Sequence, residues 1–257
     1  MRALEEEQVR EDLQRRLQYQ KIIKEPQHST SVELSVLKSI QSEIAPSTTI
    51  WETLDNDIFF PKWSFHDSTG ITVGKCTGKI HATPEELLAW MFIFDSNQSQ
   101  QKHIKQNGPN AYKYPNKILR QVNDHHIITY SCRKLPSPIV ARIWITRNFW
   151  KKMDEENYFL VYKTIEEDNP DLPPNFQGTT LKNFVRGELS MIYSFTKLPF
   201  GQTKFTMTAR VDIKGSVPKA LANRAIKGFM NTVRRAYEYF ERDVEVDEME
   251  RSGETCL

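Results

Sequence analysis

The residues whose chemistry could support catalysis or metal binding are few in this chain, and they form no known catalytic set. His125 and His126 follow Asp124, a cluster that can mark a metal site. Adjacent residues of a strand point to opposite faces, so we expect these histidines to be a solvated pair at the edge of a turn. Residues 74–79 have the composition of a phosphate-binding loop, but the glycine spacing is wrong and Ile80 stands where Ser or Thr is required.

Other catalytic signatures are missing from the sequence as well. It contains no paired cysteines, no zinc-binding histidine motif and no nucleophile elbow. The sequence therefore predicts no catalytic residues, no metal, no cofactor and no enzymatic activity.

The composition is that of a globular protein with a large core. The 257 residues are 39% hydrophobic and 26% charged, which suits one large domain or one domain with an extension. A net charge of +2 is too balanced to favour nucleic acid as a partner. The odd, widely spaced cysteines predict reduced thiols in a cytoplasmic protein, and the acidic N-terminus is unlike a signal peptide. No apolar run reaches the about 18 residues of a membrane span.

Hydrophobic periodicity predicts the elements that would position any site. Alternation of apolar and polar residues indicates strands at 49–54, 58–65, 71–82, 117–122, 126–132, 139–151, 158–167, 183–195 and 204–212. Thr83, Pro84 and Glu86 predict a capped helix from Pro84 to about Phe94, and a shorter helix is expected over 98–106.

Two helices are predicted ahead of the first strand. Residues 2–24 read as a charged helix, and a second begins near Thr30, with Glu33 completing a capping box. The apolar stripe of this second helix consists of Leu37, Ile40 and Ile44.

A long amphipathic helix is predicted to close the fold, from Pro218 to Phe240. Gly228 lies near its middle, where glycine costs about 1 kcal/mol relative to alanine. We therefore expect a close packing partner at Gly228.

Several short segments occur in the order and spacing of a known domain family. They are ATPEELLAW at 82–90, LPSPIVAR at 135–142, FWKKMD at 149–154, FVRG at 184–187 and TK at 203–204. Together with the strand, turn and helix of 204–240, they resemble the START domains, the steroidogenic-acute-regulatory-related lipid-transfer modules. The resemblance implies an α+β helix-grip fold, in which a curled antiparallel β-sheet surrounds a long C-terminal helix. The chain is accordingly predicted to consist of an N-terminal helical extension at 1–46, a lipid-binding domain at 47–243 and an acidic, disordered tail at 244–257.

The apolar stripes of the last strands and the closing helix allow two interpretations, a filled core or a cavity. The resemblance favours a cavity, because START domains keep their interior hollow. Its lining is then predicted to include Leu189, Met191, Tyr193, Met207, Leu221, Ala225, Gly228 and Phe229.

The strand at 139–151 mixes polar and apolar residues on both faces, and we expect Trp144 and Thr146 to contact the ligand. In cholesterol-binding START domains, an acidic residue on one strand pairs with an arginine on the next. The matching positions here are Ser131 and Asn148. This neutral pair could hold a hydroxyl or carbonyl group of a lipid, or it could satisfy itself.

The leading hypothesis is a monomeric START-like protein that encloses one lipid, a phospholipid, sterol or ceramide, and exchanges it at membranes through transient peripheral contact. The predicted gate is the loop at 133–139 with the start of the closing helix. There Lys219, Arg224 and Lys227 either meet anionic headgroups or form a solvated basic face.

Two alternatives remain open at this point. One is a helix-grip enzyme of the cyclase or aromatase type, which would depend on Tyr193 and Tyr130. The other is a membrane-docking or sensor module with a vestigial pocket, in which the N-terminal helices do the work.

Overall fold

The computed structural model describes most of the chain between residues 29 and 241. The described residues are 14, 17–18, 20–21, 23, 29–44, 50–94, 104, 116–133, 140–166, 168–172, 184–215, 217 and 219–241, with only the backbone at 219–224. The predicted helix at 98–106, the loop at 134–139 and the tail at 244–257 lie outside this part, apart from residue 104. Of the predicted helix at 2–24, the few described positions are helical, and Ile23 is fully buried.

Four helices and ten strands make up the described fold. The helices are α1 (Ser31–Ile44), α2 (Pro84–Phe92), α3 (Lys219–Met230) and α4 (Thr232–Tyr239). The strands are β1 (Glu52–Asp55), β2 (Lys62–His66), β3 (Thr72–Ile80), β4 (Asn116–Asn123), β5 (His126–Arg133), β6 (Arg142–Lys152), β7 (Asn157–Thr164), β8 (Val185–Arg186), β9 (Glu188–Leu198) and β10 (Gln202–Asp212).

All of these strands belong to one sheet. Their order is β1-β2-β3-β10-β9-β7-β6-β5-β4, every neighbouring pair is antiparallel, and β8 pairs in parallel with β6. β1 and β4 lie at the two edges, so the sheet is not closed into a barrel. The predicted α+β class with an antiparallel sheet is confirmed.

Helix α1 packs on one side of the sheet, which we call the outer face. Its capping box is formed as predicted: the Thr30 amide donates to Oε2 of Glu33 at 2.9 Å, and the Glu33 amide donates to Oγ1 of Thr30 at 3.2 Å. The predicted stripe of Leu37, Ile40 and Ile44 is buried against apolar side chains of the sheet, namely Phe65, Val73, Phe149, Val161 and Ile192.

The two adjacent histidines are not solvated, so that prediction is wrong. His125 and His126 are 6% and 3% exposed, and both donate hydrogen bonds to the carboxylate of Glu33 on α1. The strand-alternation argument fails because β5 begins only at His126, and His125 belongs to the preceding turn.

Helices α2, α3 and α4 cover the opposite, inner face. The capping box of α2 is also confirmed, since the Thr83 amide donates to Oε2 of Glu86 at 2.8 Å. The hydroxyl of Tyr158 on β7 donates to Oε1 of Glu85 at 2.7 Å and fixes the start of α2 against the sheet. The helix ends at Phe92, two residues before the predicted end.

The closing helix is interrupted rather than continuous. α3 ends at Met230 and α4 begins at Thr232, with Asn231 between them. Hydrogen bonds from the Asn231 amide to the Lys227 carbonyl and from the Arg235 amide to the Asn231 carbonyl, both 3.1 Å, bridge the interruption.

Close packing of the closing helices depends on glycines of the sheet and not on Gly228. A Cβ at Gly74 would lie 2.7 Å from Cγ1 of Ile226, and a Cβ at Gly78 would lie 2.9 Å from Cγ1 of Val233. Gly228 is exposed, and nothing lies within 4 Å of its Cβ position. The prediction of a close packing partner at Gly228 is therefore wrong. The buried face of α3 is formed by other residues, such as Ile226, Phe229 and Met230.

Candidate ligand pocket

A pocket of about 440 Å³ lies between the inner face of the sheet and the helices α2 and α4. Strands β5, β6 and β9 form its wall, and α2 and α4 form its other sides. The described residues that line it are Trp90, Met91, Ile93, Phe94, Asn116, Thr129, Ser131, Arg133, Trp144, Thr146, Tyr162, Leu189, Met191, Tyr193, Phe229, Thr232, Arg235, Glu238 and Tyr239.

The β9 side of the pocket is apolar, as the alternation predicts. Leu189, Met191 and Tyr193 follow one another at every second position and all line the pocket. The rings of Tyr193 and Tyr162 form a T-shaped, edge-to-face contact with 5.6 Å between ring centroids.

Aromatic rings close two further sides. Trp144 on β6 lies edge-on to Phe229 at the end of α3, with centroids 6.1 Å apart. Trp90 on α2 stacks on Tyr239 of α4 at 5.4 Å. Such rings give a binding site apolar area of defined shape.

Hydroxyl groups form a polar row across β5 and β6. Thr129 and Thr146 stand directly opposite each other in the register, and their hydroxyl oxygens are 3.0 Å apart. Nδ2 of Asn148 donates to Oγ1 of Thr129 at 2.9 Å, from a position that is fully buried behind the lining. The pocket therefore meets the two threonines, whereas Asn148 supports them.

Ser131 and Asn148 do not form the predicted pair. Ser131 lines the pocket and is opposite Trp144 in the register, whereas Asn148 is opposite Ile127. The two side chains are thus offset along the strands, and the hydrogen-bonding partner of Asn148 is Thr129 instead.

Met207 and Ala225 also lie outside the lining, contrary to prediction. Met207 is fully buried on β10, where the sheet is covered by packed side chains. Phe195 and Phe205, directly opposite each other on β9 and β10, stack there with ring centroids 5.1 Å apart. Ala225 packs against the same core. The side chain of Leu221 lies outside the described residues.

A cationic end of the pocket was not predicted from the sequence. Arg133 at the end of β5 and Arg235 on α4 both line it, together with Thr232 and Glu238. Burial and the nearby charge of Arg235 lower the pKa of Arg133 to about 10. Burial also lowers the pKa of Arg235, against the opposing effects of Tyr193 and Glu238.

Regular spacing could have revealed these missed residues. Thr129, Ser131 and Arg133 alternate on β5, so the face assigned to Ser131 also predicts its two neighbours. Thr232, Arg235 and Glu238 recur every three residues on α4, one face of a helix. Trp90 on α2 and Phe94, two residues beyond the end of that helix, are likewise four apart.

The two tyrosines among the described lining residues are poorly suited to acid–base chemistry near neutral pH. Burial raises the pKa of Tyr193 to about 12, even though Arg235, Thr232 and Arg133 favour its ionised form. Burial raises the pKa of Tyr162 as well. Tyr130 belongs to an apolar cluster on the outer face and does not line the pocket. Within the described ranges, no group of three or more His, Cys, Asp or Glu side chains could hold a metal ion.

Several solved structures, two of them named for lipid transfer, superpose on most of this chain. The lipid transfer and protein localization domain of human StarD13 matches with a TM-score of 0.56 and 15% identity, over 84% of this chain and 99% of that domain. Human STARD10 matches with a TM-score of 0.58 and 18% identity, over 82% and 79%. A STAR-related lipid transfer protein from Xanthomonas axonopodis matches with a TM-score of 0.57 and 12% identity, over 75% and 99%.

The chain has a START-like fold. The helix-grip architecture predicted from the sequence is thereby confirmed, although the sheet is open and the closing helix is interrupted. No family model and no curated protein sequence matches the chain, so its START-like character is visible in the fold. In the part of the chain that the structure describes, no helix is long and apolar enough to cross a membrane.

Proposed function

We propose that this protein binds one lipid in the pocket and carries it between membranes without chemical change. The observation that carries the proposal is the unfilled volume of about 440 Å³ beside a tightly packed core. The START-like fold supports it, since the similar structures include proteins whose names describe lipid transfer. A mixed lining, with apolar walls and a few polar groups, is typical of sites for small ligands.

The energetic basis of such carriage is the transfer of hydrocarbon. Each buried methylene is worth about 0.8 kcal/mol, so a long acyl chain leaves a membrane for water very slowly. A dry pocket restores most of that free energy and lowers the cost of transport. We propose that Leu189, Met191, Trp144 and Phe229 surround the hydrocarbon part of the lipid.

Polar lining residues would then orient the ligand. Thr146, with its partner Thr129, and Ser131 offer hydroxyl groups on the sheet wall. Tyr193 adds a phenol on β9, which is separated from β6 by β7. Asn148 contributes indirectly by holding the Thr129 hydroxyl in place.

We place the membrane contact where the lining reaches the surface. Glu238 and Tyr239 are exposed, Tyr239 by 41%, and Trp90 and Met91 are half-buried beside them. Trp and Tyr suit the boundary between water and lipid because one end of each ring system is polar. Lys227 is also exposed, whereas the side chains of Lys219 and Arg224 lie outside the described residues.

We further propose that the protein works as a monomer in the cytoplasm. Cys76 and Cys132 are buried free thiols, and burial raises the pKa values of both, to about 11 and about 12. Such thiols are inert and compatible with a reducing compartment. The raised pKa of Tyr193 and the position of Tyr130 outside the lining argue against the cyclase-type alternative, which depends on these two tyrosines.

A matched pair of variants tests the proposal. Ser131→Trp places a large ring in the pocket, whereas Ser194→Trp makes the same change at another half-buried strand serine, which does not line the pocket. Delipidated wild type should take up one lipid per chain and move a fluorescent lipid between vesicles. Ser131→Trp should lose most of this capacity and Ser194→Trp should retain it. No uptake of phospholipids, sterols, ceramides or single-chain lipids by wild type would refute the proposal.

A further inference from the structure

The cationic end of the pocket holds two arginines, and one of them, Arg235, keeps a buried donor without an acceptor among the described residues. The guanidinium carbon of Arg133 lies 4.6 Å from the centroid of the Phe229 ring, a cation–π contact that uses its face. Arg235 donates a hydrogen bond of 2.6 Å to Oγ1 of Thr232. The Nε–H of Arg235 is buried and has no acceptor among the described residues.

Neither arginine is neutralised by a carboxylate in the described part of the chain. The acidic residue that lines the pocket, Glu238, is exposed and influences Arg235 without forming an ion pair with it. The neighbouring Arg234 differs, because it pairs with Asp57 outside the pocket. The pocket thus keeps two positive charges against one negative charge at its rim.

Like charges in a partly buried site repel each other, so placing Arg133 and Arg235 together costs electrostatic free energy. The pKa values of Arg133 and Arg235 are both lowered by burial, and Arg235 adds to the effect at Arg133. A core with no ligand to bind gains nothing from this arrangement. An anion placed at this end would reverse the cost, because each guanidinium offers several N–H donors in a planar fork.

We propose that the ligand is an anionic amphiphile whose acid group, a carboxylate or a phosphate, is bound by Arg133 and Arg235. Its hydrocarbon part then extends along Leu189 and Met191. This inference rests on the proposed function and specifies the class of lipid. Charge-assisted hydrogen bonds from arginine to such acids are among the stronger polar contacts in proteins.

The volume of the pocket further restricts the classes of lipid that it can hold. Sites for drug-sized ligands span about 300–1,000 Å³, and 440 Å³ is in the lower part of that range. A single acyl chain or one compact ring system fits such a volume better than two long acyl chains. Fatty acids and lysophospholipids with an acidic head are therefore the class to test.

The experiment compares acids with neutral lipids of the same chain. Delipidated full-length protein is titrated with oleate and oleyl alcohol, and with oleoyl lysophosphatidic acid and monoolein. Binding is followed by tryptophan fluorescence, since Trp90 and Trp144 line the pocket. At least one acid should bind about tenfold or more tightly than its neutral partner, which corresponds to one charge-assisted hydrogen bond.

Substitutions of the two arginines test whether they cause the preference for acids over neutral lipids. Arg133→Gln and Arg235→Gln should each weaken the acid about tenfold and leave the neutral lipid unchanged. Arg234→Gln removes the same charge from the same helix outside the pocket, so it should change neither affinity. Binding of the neutral lipid by each variant also shows that the variant is folded.

The possible outcomes distinguish failure of the proposed acid site from failure of the proposed lipid-binding function. Equal affinities of acids and neutral lipids, or acid binding that survives both pocket variants, would overturn the acid site and leave lipid binding in place. Competition by acetate or inorganic phosphate at the affinity of the acids would show a simple anion site, and would also overturn it. Failure of every lipid to bind would refute the proposed function itself.

Discussion

Nδ1 of His126 donates a hydrogen bond of 2.9 Å to Oε1 of Glu33, although the two residues are 93 positions apart and almost fully buried. The other carboxylate oxygen accepts from Nε2 of His125 at 3.2 Å. Burial raises the pKa of Glu33, but the hydrogen bonds from His125, His126 and the Thr30 amide outweigh it and hold the pKa far below its ordinary value of 4.5. One carboxylate thus fastens α1 to the start of β5.

Glu33→Gln should destabilise the fold, since an amide cannot accept both imidazole hydrogen bonds at full strength. Leaving a buried polar group unsatisfied costs about 1–3 kcal/mol, so the free energy of unfolding in urea should fall by about that amount. Lys38→Gln, an exposed position on the same helix, serves as the control and should change little. Equal stabilities of the two variants would show that the buried contact contributes nothing.

Acid should weaken the wild type through this same carboxylate. The folded pKa of Glu33 lies below the unfolded value of 4.5, so its contribution is complete above about pH 4.5 and is lost as the pH falls toward the folded pKa. Between pH 4.5 and pH 3, the stability of wild type should therefore decline more steeply than that of Glu33→Gln. Parallel pH curves for the two proteins would contradict this prediction.

Glycine substitutions should have opposite effects on the sheet and on the closing helix. Gly74→Ala would bring a methyl group to 2.7 Å from Ile226, and such overpacking costs about 1–3 kcal/mol. Gly228→Ala meets nothing and removes a helix-weakening residue, so it should stabilise the protein by up to about 1 kcal/mol. Thermal unfolding of both variants checks the signs, and a stabilising Gly74→Ala would contradict the packing described here.

Removal of residues 1–46 should damage the fold itself. α1 covers apolar side chains of the outer face, among them Phe149, Val161 and Ile192. Uncovering one such side chain costs about 1.5–3 kcal/mol, so the truncated protein should unfold at lower urea concentration and bind a dye for exposed apolar surface. Lipid transfer should fall with the folded fraction. A truncated protein of undiminished stability would show that α1 is dispensable.

Local signals explain what the sequence predicted correctly. The Thr30–Glu33 and Thr83–Glu86 boxes are contained within four residues, so the starts of α1 and α2 could be read directly. Alternation along β9 correctly assigned Leu189 and its neighbours to one face, because the side-chain period of a strand is fixed by its backbone.

The features that the sequence did not predict depend on contacts between residues that are distant in sequence. The burial of His125 and His126 follows from Glu33 on another element, and no local pattern contains it. The boundary between filled core and open pocket follows from how Phe195 and Phe205 stack across neighbouring strands. Alternation identifies the inner face, but it cannot tell where that face is covered and where it is left empty.

The absence of side chains at Gly74 and Gly78 also bears on how a ligand would enter the pocket under the proposed function. Along β3, the helices rest almost directly on strand backbone, because a Cβ at Gly74 or Gly78 would lie only 2.7 Å from Ile226 or 2.9 Å from Val233. The rim of the pocket carries the stacked rings of Trp90, which is half-buried, and Tyr239, which is 41% exposed. For the proposed lipid carriage we therefore expect uptake and release to occur by displacement at the Trp90–Tyr239 rim and not along β3.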